Sequence, residues 1–295
     1  MTGIAFIGVG NMGGPMARNL LKAGHAVAAF DLSAATLEPV VKAGARAAAT
    51  AADAVRNADV VITMLPAGQH VRSVYLEGGV LAQAQKSALL IDSSTIDIDS
   101  ARAVHDAAAR DGFDFLDAPV SGGVGGAEAA TLTFMCGGTE KAFERARPIL
   151  EQMGKRVVLA GGAGAGQAAK ICNNMLLAIS MIGTCEAFVL AGKLGLDAQK
   201  LFDIASTSSG QCWSLSSYCP IPGPVPSAPS NRDYQGGFAA GLMLKDLKLS
   251  QAAALSAGAT TPLGAEATQL YSLFAAKGHA GLDFSGIVRM LRGEL

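Results

Sequence analysis

The chain has almost no net charge: 23 Lys and Arg against 24 Asp and Glu leave −1 over 295 residues, and only 16% of residues are charged. Without a basic cluster to displace counterions, nucleic-acid and anionic-membrane partners are not expected. Cysteine is sparse and unpatterned. The five, Cys136, Cys172, Cys185, Cys212 and Cys219, are odd in number and lack CxxC spacing, which argues against a disulfide framework or a zinc site. They read as reduced thiols packed as small apolar groups. The four histidines, His25, His70, His105 and His279, stand singly outside any metal or triad pattern and read as structural, so no metal is expected. The chain begins on a strand-like run with no basic n-region or cleavage site, and a cytoplasmic location is expected. An uninterrupted membrane span is lacking too. The apolar stretch from Gln167 to Gly192 is broken or bracketed by Lys170, Asn173, Asn174, Glu186 and Lys193. That leaves fewer than the roughly twenty apolar residues a span needs. A long helix buried between domains or subunits is expected instead.

What the chain does have is 36 glycines and 50% hydrophobic residues, with length for two domains. The glycines are not scattered at the start. Ile4-Ala5-Phe6-Ile7 runs into Gly8-Val9-Gly10-Asn11-Met12-Gly13, then a helical segment from about Pro15 to Lys22, a second apolar run Ala26–Phe30, and Asp31. Strand, GxGxxG, helix and a strand ending in an acid form the dinucleotide-binding pattern. Gly8 serves the tight turn, Gly10 the close approach of a pyrophosphate, and Gly13 the packing of helix on strand. The helix N-terminus, with Asn11 and Met12 leading in, offers free N–H groups to the phosphates. Asp31 would take the ribose hydroxyls and repel a 2′-phosphate, and Leu32-Ser33 bring no cation, so NAD is the expected cofactor.

To about residue 160, apolar runs alternate with Ala-rich helical segments, the pattern of a parallel α/β sheet. The runs are Ala5–Ile7, Val27–Phe30, Val60–Leu65, Leu89–Asp92, Phe113–Leu116, Leu132–Met135 and Val157–Leu159. Their ends carry Asp31, Leu65-Pro66, Ser93-Ser94-Thr95 and Pro119-Val120-Ser121-Gly122-Gly123, which by the rule for open α/β sheets line one crevice. Gly161–Gly166 marks a composition shift, after which the chain reads as helix, apart from a stiff Pro-rich loop from Cys219 to Pro229. The expected fold is an α/β Rossmann-type N-terminal domain, 1–162, plus an all-α C-terminal domain, 163–295, that begins with a long interdomain helix and serves substrate binding and dimerisation. Trp213, the one tryptophan, reads as core or loop packing.

Lys170 and Asn174 lie four apart and so share one face of the long helix. An unpaired charge at the head of an apolar helix must reach solvent, a partner or a ligand. Desolvation and a nearby cationic ring would disfavour the ammonium, letting such a lysine exchange a proton near neutral pH. Taken alone, Ser121-Gly122-Gly123 reads as an ordinary turn and Thr95 equally as the N-cap side of a helix.

Four segments together resemble the β-hydroxyacid dehydrogenase family, within it the branch acting on 3-hydroxyisobutyrate. They are Phe6–Leu20, Asp117–Gly123, Gly166–Asn174 and Lys245-Asp246-Leu247. The resemblance implies Lys170 as general acid/base and Ser121, Gly122, Gly123 and Asn174 on the substrate. It also implies that Leu65, Pro66, Thr95 and Lys245 join the glycine loop and Asp31 on NAD. It further implies a small 3-hydroxy acid as substrate, a role in valine catabolism and a homo-oligomer. Tartronate semialdehyde reductase and L-serine dehydrogenase are sister activities of the same scaffold. A non-catalytic NAD-binding reader protein is the alternative from another class, and it would be expected to lack the Lys170–Asn174 pair.

Overall fold

The computed structural model describes residues 1–77 and 79–295. The chain divides into two compact units, Met1–Lys170 and Ile171–Leu295.

Among the described residues of the first unit, nine strands form one sheet: β1 Gly3–Ile7, β2 Ala26–Phe30, β3 Arg46–Ala47, β4 Val60–Thr63, β5 Leu89–Asp92, β6 Asp114–Asp117, β7 Val120–Ser121, β8 Leu132–Gly138 and β9 Gly154–Gly161. Their order is β3-β2-β1-β4-β5-β6-β8-β7, with β9 paired to β8. From β3 to β6 every pairing is parallel. Parallel strands covered on both faces need apolar side chains on both, which is why these runs look continuously hydrophobic. Ile4 and Phe6 enter one core with Met16, Ile62 and Ile91, while Ala5 and Ile7 enter the other with Val61, Leu90 and Phe115.

The expectation of a parallel sheet holds only this far. β8 runs antiparallel to both β6 and β7, and β9 then runs parallel to β8. The two-residue strands β3 and β7 were not expected either. Each is too short to show an alternation, and Val120-Ser121 becomes a strand because it pairs with Thr133 and Phe134 across the chain reversal.

Chain order reverses around β1, whose neighbours are β2 and β4. The loops leaving the carboxyl ends of β1, β2, β4 and β5 therefore surround the position where such sheets bind ligands.

The helix Ala165–Lys193 has 29 residues. Among the described residues it is the one helix long and apolar enough to cross a membrane by length and composition, and 39% of its most apolar window is buried inside the protein. Ala178, Met181, Ile182, Cys185 and Phe188 recur at helical spacing and face a third core, that of the second unit, with Met243, Leu247, Tyr271, Phe274 and Ile287. The second unit is otherwise helical: Ala198–Ala205, Trp213–Ser216, Ala240–Ala257, Pro262–Phe274 and Ile287–Leu291. Its buried Asp283 binds the hydroxyls of Tyr218 (2.8 Å) and Ser285 (2.6 Å) and the Phe238 N–H (2.8 Å). That clasp ties the chain on both sides of the Pro-rich stretch, at Tyr218 and Phe238, to the segment before the last helix. Trp213 does not fill a core: it is half exposed and stacks on Tyr218 with centroids 4.8 Å apart. All five cysteines are free, and Cys172 is exposed rather than packed.

Candidate active site

The first turn after β1 is held by glycines for identifiable reasons. Gly8 has φ +89°, and a Cβ there would run into the carbonyl oxygen of Met64. A Cβ on Gly13 would meet the carbonyl oxygen of Gly8, so helix and strand touch through bare backbone. At Gly10 nothing lies within 4 Å of the position a Cβ would take. The loop is tight against the protein on two sides and open on the third. Met12 stands at the N-terminus of Gly13–Lys22 without a side-chain cap, and the first turn carries no acid. Asn11 precedes it and is exposed. Asp31, at the end of β2, accepts the Val9 N–H through Oδ2 (2.8 Å) and the Ser33 N–H through Oδ1 (2.9 Å). Its carboxylate is thereby fixed beside the glycine loop, and the residue after it, Leu32, is exposed. A clash-free opening over glycine, an uncapped helix start and a fixed carboxylate together fit a dinucleotide's pyrophosphate and adenosine ribose.

The loops after β4 and β5 are cross-braced by buried polar groups. The Leu65 N–H donates to Ser94 Oγ (2.8 Å), and Ser94 Oγ and Thr63 Oγ1 both donate to Asp92 Oδ1 (2.6 and 2.7 Å). Burial pushes the Asp92 carboxyl up to about 6, against the pull of those hydrogen bonds. Thr95 follows, half-buried, and Pro66 is exposed beside half-buried Leu65. Thr95 is not a helix cap: Asp97 caps Ile98–Arg110 by accepting the Ser100 N–H at 2.7 Å.

Ser121 ends β7, and Gly122 (φ +135°) and Gly123 (φ +62°) open the helix Gly123–Glu128. Both glycines adopt left-handed backbone that a side chain would disfavour. The turn thus presents a hydroxyl and a helix start together.

The long helix begins on a carboxylate. Asp117, at the end of β6 and 1% exposed, accepts the Gly164 N–H (2.9 Å) and the Gln167 N–H (2.9 Å), with His105 Nε2 2.7 Å away. Lys170 follows in the same helix, 7% exposed, and Asn174 one turn later, 1% exposed. Asn174 donates through Nδ2 to Asp246 Oδ2 at 2.6 Å, and Lys245 Nζ lies 3.8 Å from Asp246 Oδ1. Asp246, on the helix Ala240–Ala257, is thus bonded to Asn174. Among the described residues no cluster of His, Cys, Asp and Glu is suited to a metal.

Sequence reasoning missed Asp92, Asp117 and Gln167 as parts of this arrangement, and for Asp246, already in the Lys-Asp pair of the family resemblance, it missed the bond to Asn174. Asp117, Gln167 and Asp246 lay inside quoted motifs, but a buried acceptor's role depends on which distant N–H it meets.

This geometry is that of a Rossmann-type dinucleotide-binding domain followed along the chain by a helical domain. Residues 3–162 match the NAD-binding domain of 6-phosphogluconate dehydrogenase, and residues 164–291 match the NAD-binding domain of NADP-dependent 3-hydroxyisobutyrate dehydrogenase. The chain is 54% identical to 3-hydroxyisobutyrate dehydrogenase of Pseudomonas aeruginosa, with 100% of each chain covered. It is 52% identical to that organism's NAD-dependent L-serine dehydrogenase, with 98% of each covered. A solved structure of the Mycobacterium tuberculosis 3-hydroxyisobutyrate dehydrogenase with L-serine superposes with a TM-score of 0.95 at 52% identity, over 99% of both chains. The chain belongs to the 3-hydroxyisobutyrate dehydrogenase family.

Proposed function

We propose that this enzyme oxidises 3-hydroxyisobutyrate to methylmalonate semialdehyde, reversibly and with NAD, with Lys170 as the general acid/base. The observation that carries the reading is Lys170 itself: a lysine only 7% exposed, on a helix whose start is pinned by Asp117, one turn before buried Asn174. When bound, NAD supplies the hydride acceptor. Gly8, Gly10, Asn11, Met12 and Gly13 would hold the pyrophosphate and Asp31 the adenosine ribose, and Leu65, Pro66, Thr95 and Lys245 would also touch the cofactor, Lys245 beside the nicotinamide. The Ser121 hydroxyl and the Gly122 and Gly123 N–H groups take the substrate carboxylate, since a charged acceptor strengthens each such bond. Asn174, oriented by Asp246, holds the substrate beside Lys170. Neutral Lys170 Nζ then accepts the hydroxyl proton, and in the reverse direction the ammonium returns it. Residues 1–162 would serve the cofactor and residues 163–295 the substrate and dimerisation.

A second reading, oxidation of L-serine, is favoured by the similarity to an L-serine dehydrogenase and to a structure holding L-serine. The two substrates differ by a methyl against an amine, and tartronate semialdehyde reduction is a third variant of the same chemistry. Loss of the Lys170–Asn174 pair, expected of a reader protein, is not seen. Comparing kcat/KM for 3-hydroxyisobutyrate, D-glycerate, L-serine and 3-hydroxypropionate with NAD and NADP decides between them. The reading stands if 3-hydroxyisobutyrate with NAD leads and falls if L-serine does.

The enzyme works in the cytoplasm, in valine breakdown, on a small-molecule partner without nucleic acid or membrane. It is a homo-oligomer, supported by the exposure of Leu176, Leu190, Leu194, Ile204, Leu255 and Leu263 on the helical unit. Light scattering at micromolar concentration tests this, and a monomer mass refutes it.

A further inference from the structure

Gln167 is fully buried, one helical turn before Lys170. Its carboxamide is used at both ends. Nε2 donates to the Ser94 carbonyl oxygen (2.7 Å), and Oε1 accepts the Ile96 N–H (3.0 Å). Those two peptide groups flank Thr95, so one side chain grips the backbone on both sides of a single residue. From below, the same loop is held by Asp92 through the Ser94 hydroxyl, which also takes the Leu65 N–H. The backbone of Gln167 is itself anchored, because its N–H donates to Asp117 Oδ2 (2.9 Å). The turn also sits hard against the sheet: a Cβ on Gly137 would lie 2.6 Å from the Gly166 nitrogen, and one on Gly166 would lie 2.7 Å from Asp117 Oδ2.

We propose that Gln167 is a positioning residue of the reaction, locking the turn that bears Lys170 to the Thr95 and Leu65 loops and so setting the proton acceptor against the cofactor. This rests on the reading of Lys170 as acid/base and of Thr95 and Leu65 as cofactor contacts. A group kept only for packing would need its two bonds satisfied anywhere. These bonds converge on the peptide groups around one residue of the cofactor loop. Proton and hydride must leave neighbouring atoms of one substrate, so a small slip of the helix turn against that loop lowers rate without abolishing binding.

The test uses Gln167→Met, of similar length without the hydrogen bonds, and Gln167→Glu, which keeps the acceptor but loses the donor to Ser94. The expected result is a loss of about 10- to 100-fold in kcat. The NAD Kd and substrate KM should move less than about threefold, since the phosphate and carboxylate contacts stay intact. The primary deuterium isotope effect on kcat should rise as hydride transfer becomes rate-limiting. For Gln167→Glu, activity relative to the parent should recover as pH falls, because a protonated carboxyl again donates to the Ser94 carbonyl. Combining Gln167→Met with Lys170→Met should cost no more than Lys170→Met alone.

An unchanged kcat and isotope effect in a folded variant overturns the proposal. So does a loss confined to Kd and KM, or losses that multiply in the double variant. If Gln167→Met melts below the assay temperature, Gln167→Glu is judged by the same criteria, and unfolding of both assigns Gln167 to stability alone and also overturns it. Lys170→Met, run alongside, separates the two ideas. If it stays active, the acid/base assignment fails. If it is dead while the Gln167 variants match the parent, only the positioning role fails.

Discussion

Replacing Lys170 with Met removes one functional group and little else. The side chain is 7% exposed, so its four-carbon stem is packed, and methionine keeps nearly the same length and apolar surface. Both residues are good helix formers, so the helix Ala165–Lys193 should persist. The melting temperature should move by no more than a few degrees, roughly what 1 kcal/mol produces in a protein of this size. The cofactor's phosphate and ribose contacts are independent of this side chain. In the proposed reading they come from the loop braced by Met64 and from Asp31, whose carboxylate is fixed by the Val9 and Ser33 N–H groups. The NAD Kd should therefore stay within about threefold, less than 1 kcal/mol. Turnover should collapse. A positioned acid/base contributes about 10²–10⁴-fold, and the upper end applies because an alcohol gives up hydride poorly while it keeps its proton. In barrier terms that is about 4–5 kcal/mol. Initial rates of NADH formation, with NAD titrated calorimetrically into the same preparation, measure both sides. A variant that keeps more than about a tenth of kcat would refute the reasoning, and the proton carrier would then be sought at Lys245, beside Asp246.

Three further perturbations probe the scaffold. Asp31→Ser should lower the NAD-to-NADP ratio of kcat/KM by about tenfold or more, since it removes the carboxylate that repels a 2′-phosphate; a parent enzyme equally good with NADP would sink the assignment. Gly8→Ala forces a side chain into φ +89° and against the Met64 carbonyl. It should cost about 2 kcal/mol or more, read by calorimetry, and an unchanged melting temperature contradicts it. Asp92 keeps its proton to about 6 in the folded chain against 3.8 when unfolded. The native state therefore binds more protons between those values, and stability from this group is full below pH 3.8 and lost as pH rises through 6. Asp92→Asn abolishes that loss, so its stability relative to the parent should improve by about 2–3 kcal/mol from pH 4 to pH 7.5 in urea titrations. An equal offset at both pH values refutes the assignment.

Elements set by local pattern were legible along the chain. The run Ile4–Ile7, the glycine loop, the strand before Asp31 and the long apolar helix all announce themselves, because strand period, turn chemistry and helix propensity are properties of neighbouring residues. Where the structure departs, distant partners decided. Val120-Ser121 is a strand only because β8 turns back beside it. Trp213, apolar enough for a core, is left half exposed against Tyr218. Thr95 lost the capping role to Asp97, two residues on, because a cap depends on which oxygen meets the free N–H.

The same division runs through the candidate active site. Sequence alone determined that the chain binds a dinucleotide and that Lys170 and Asn174 share a helix face, since both follow from short-range spacing. Only the tertiary structure decided how those groups are held: Asp117 under the helix start, Gln167 around Thr95, Asp246 on Asn174 and Asp92 beneath the loops. The bonds from Asp117 to the Gly164 and Gln167 N–H groups, from Gln167 to the Ser94 carbonyl and from Asn174 to Asp246 join residues 47 to 73 apart in sequence. A buried hydrogen bond requires its donor and acceptor to meet within about 3 Å, and no local periodicity records that meeting.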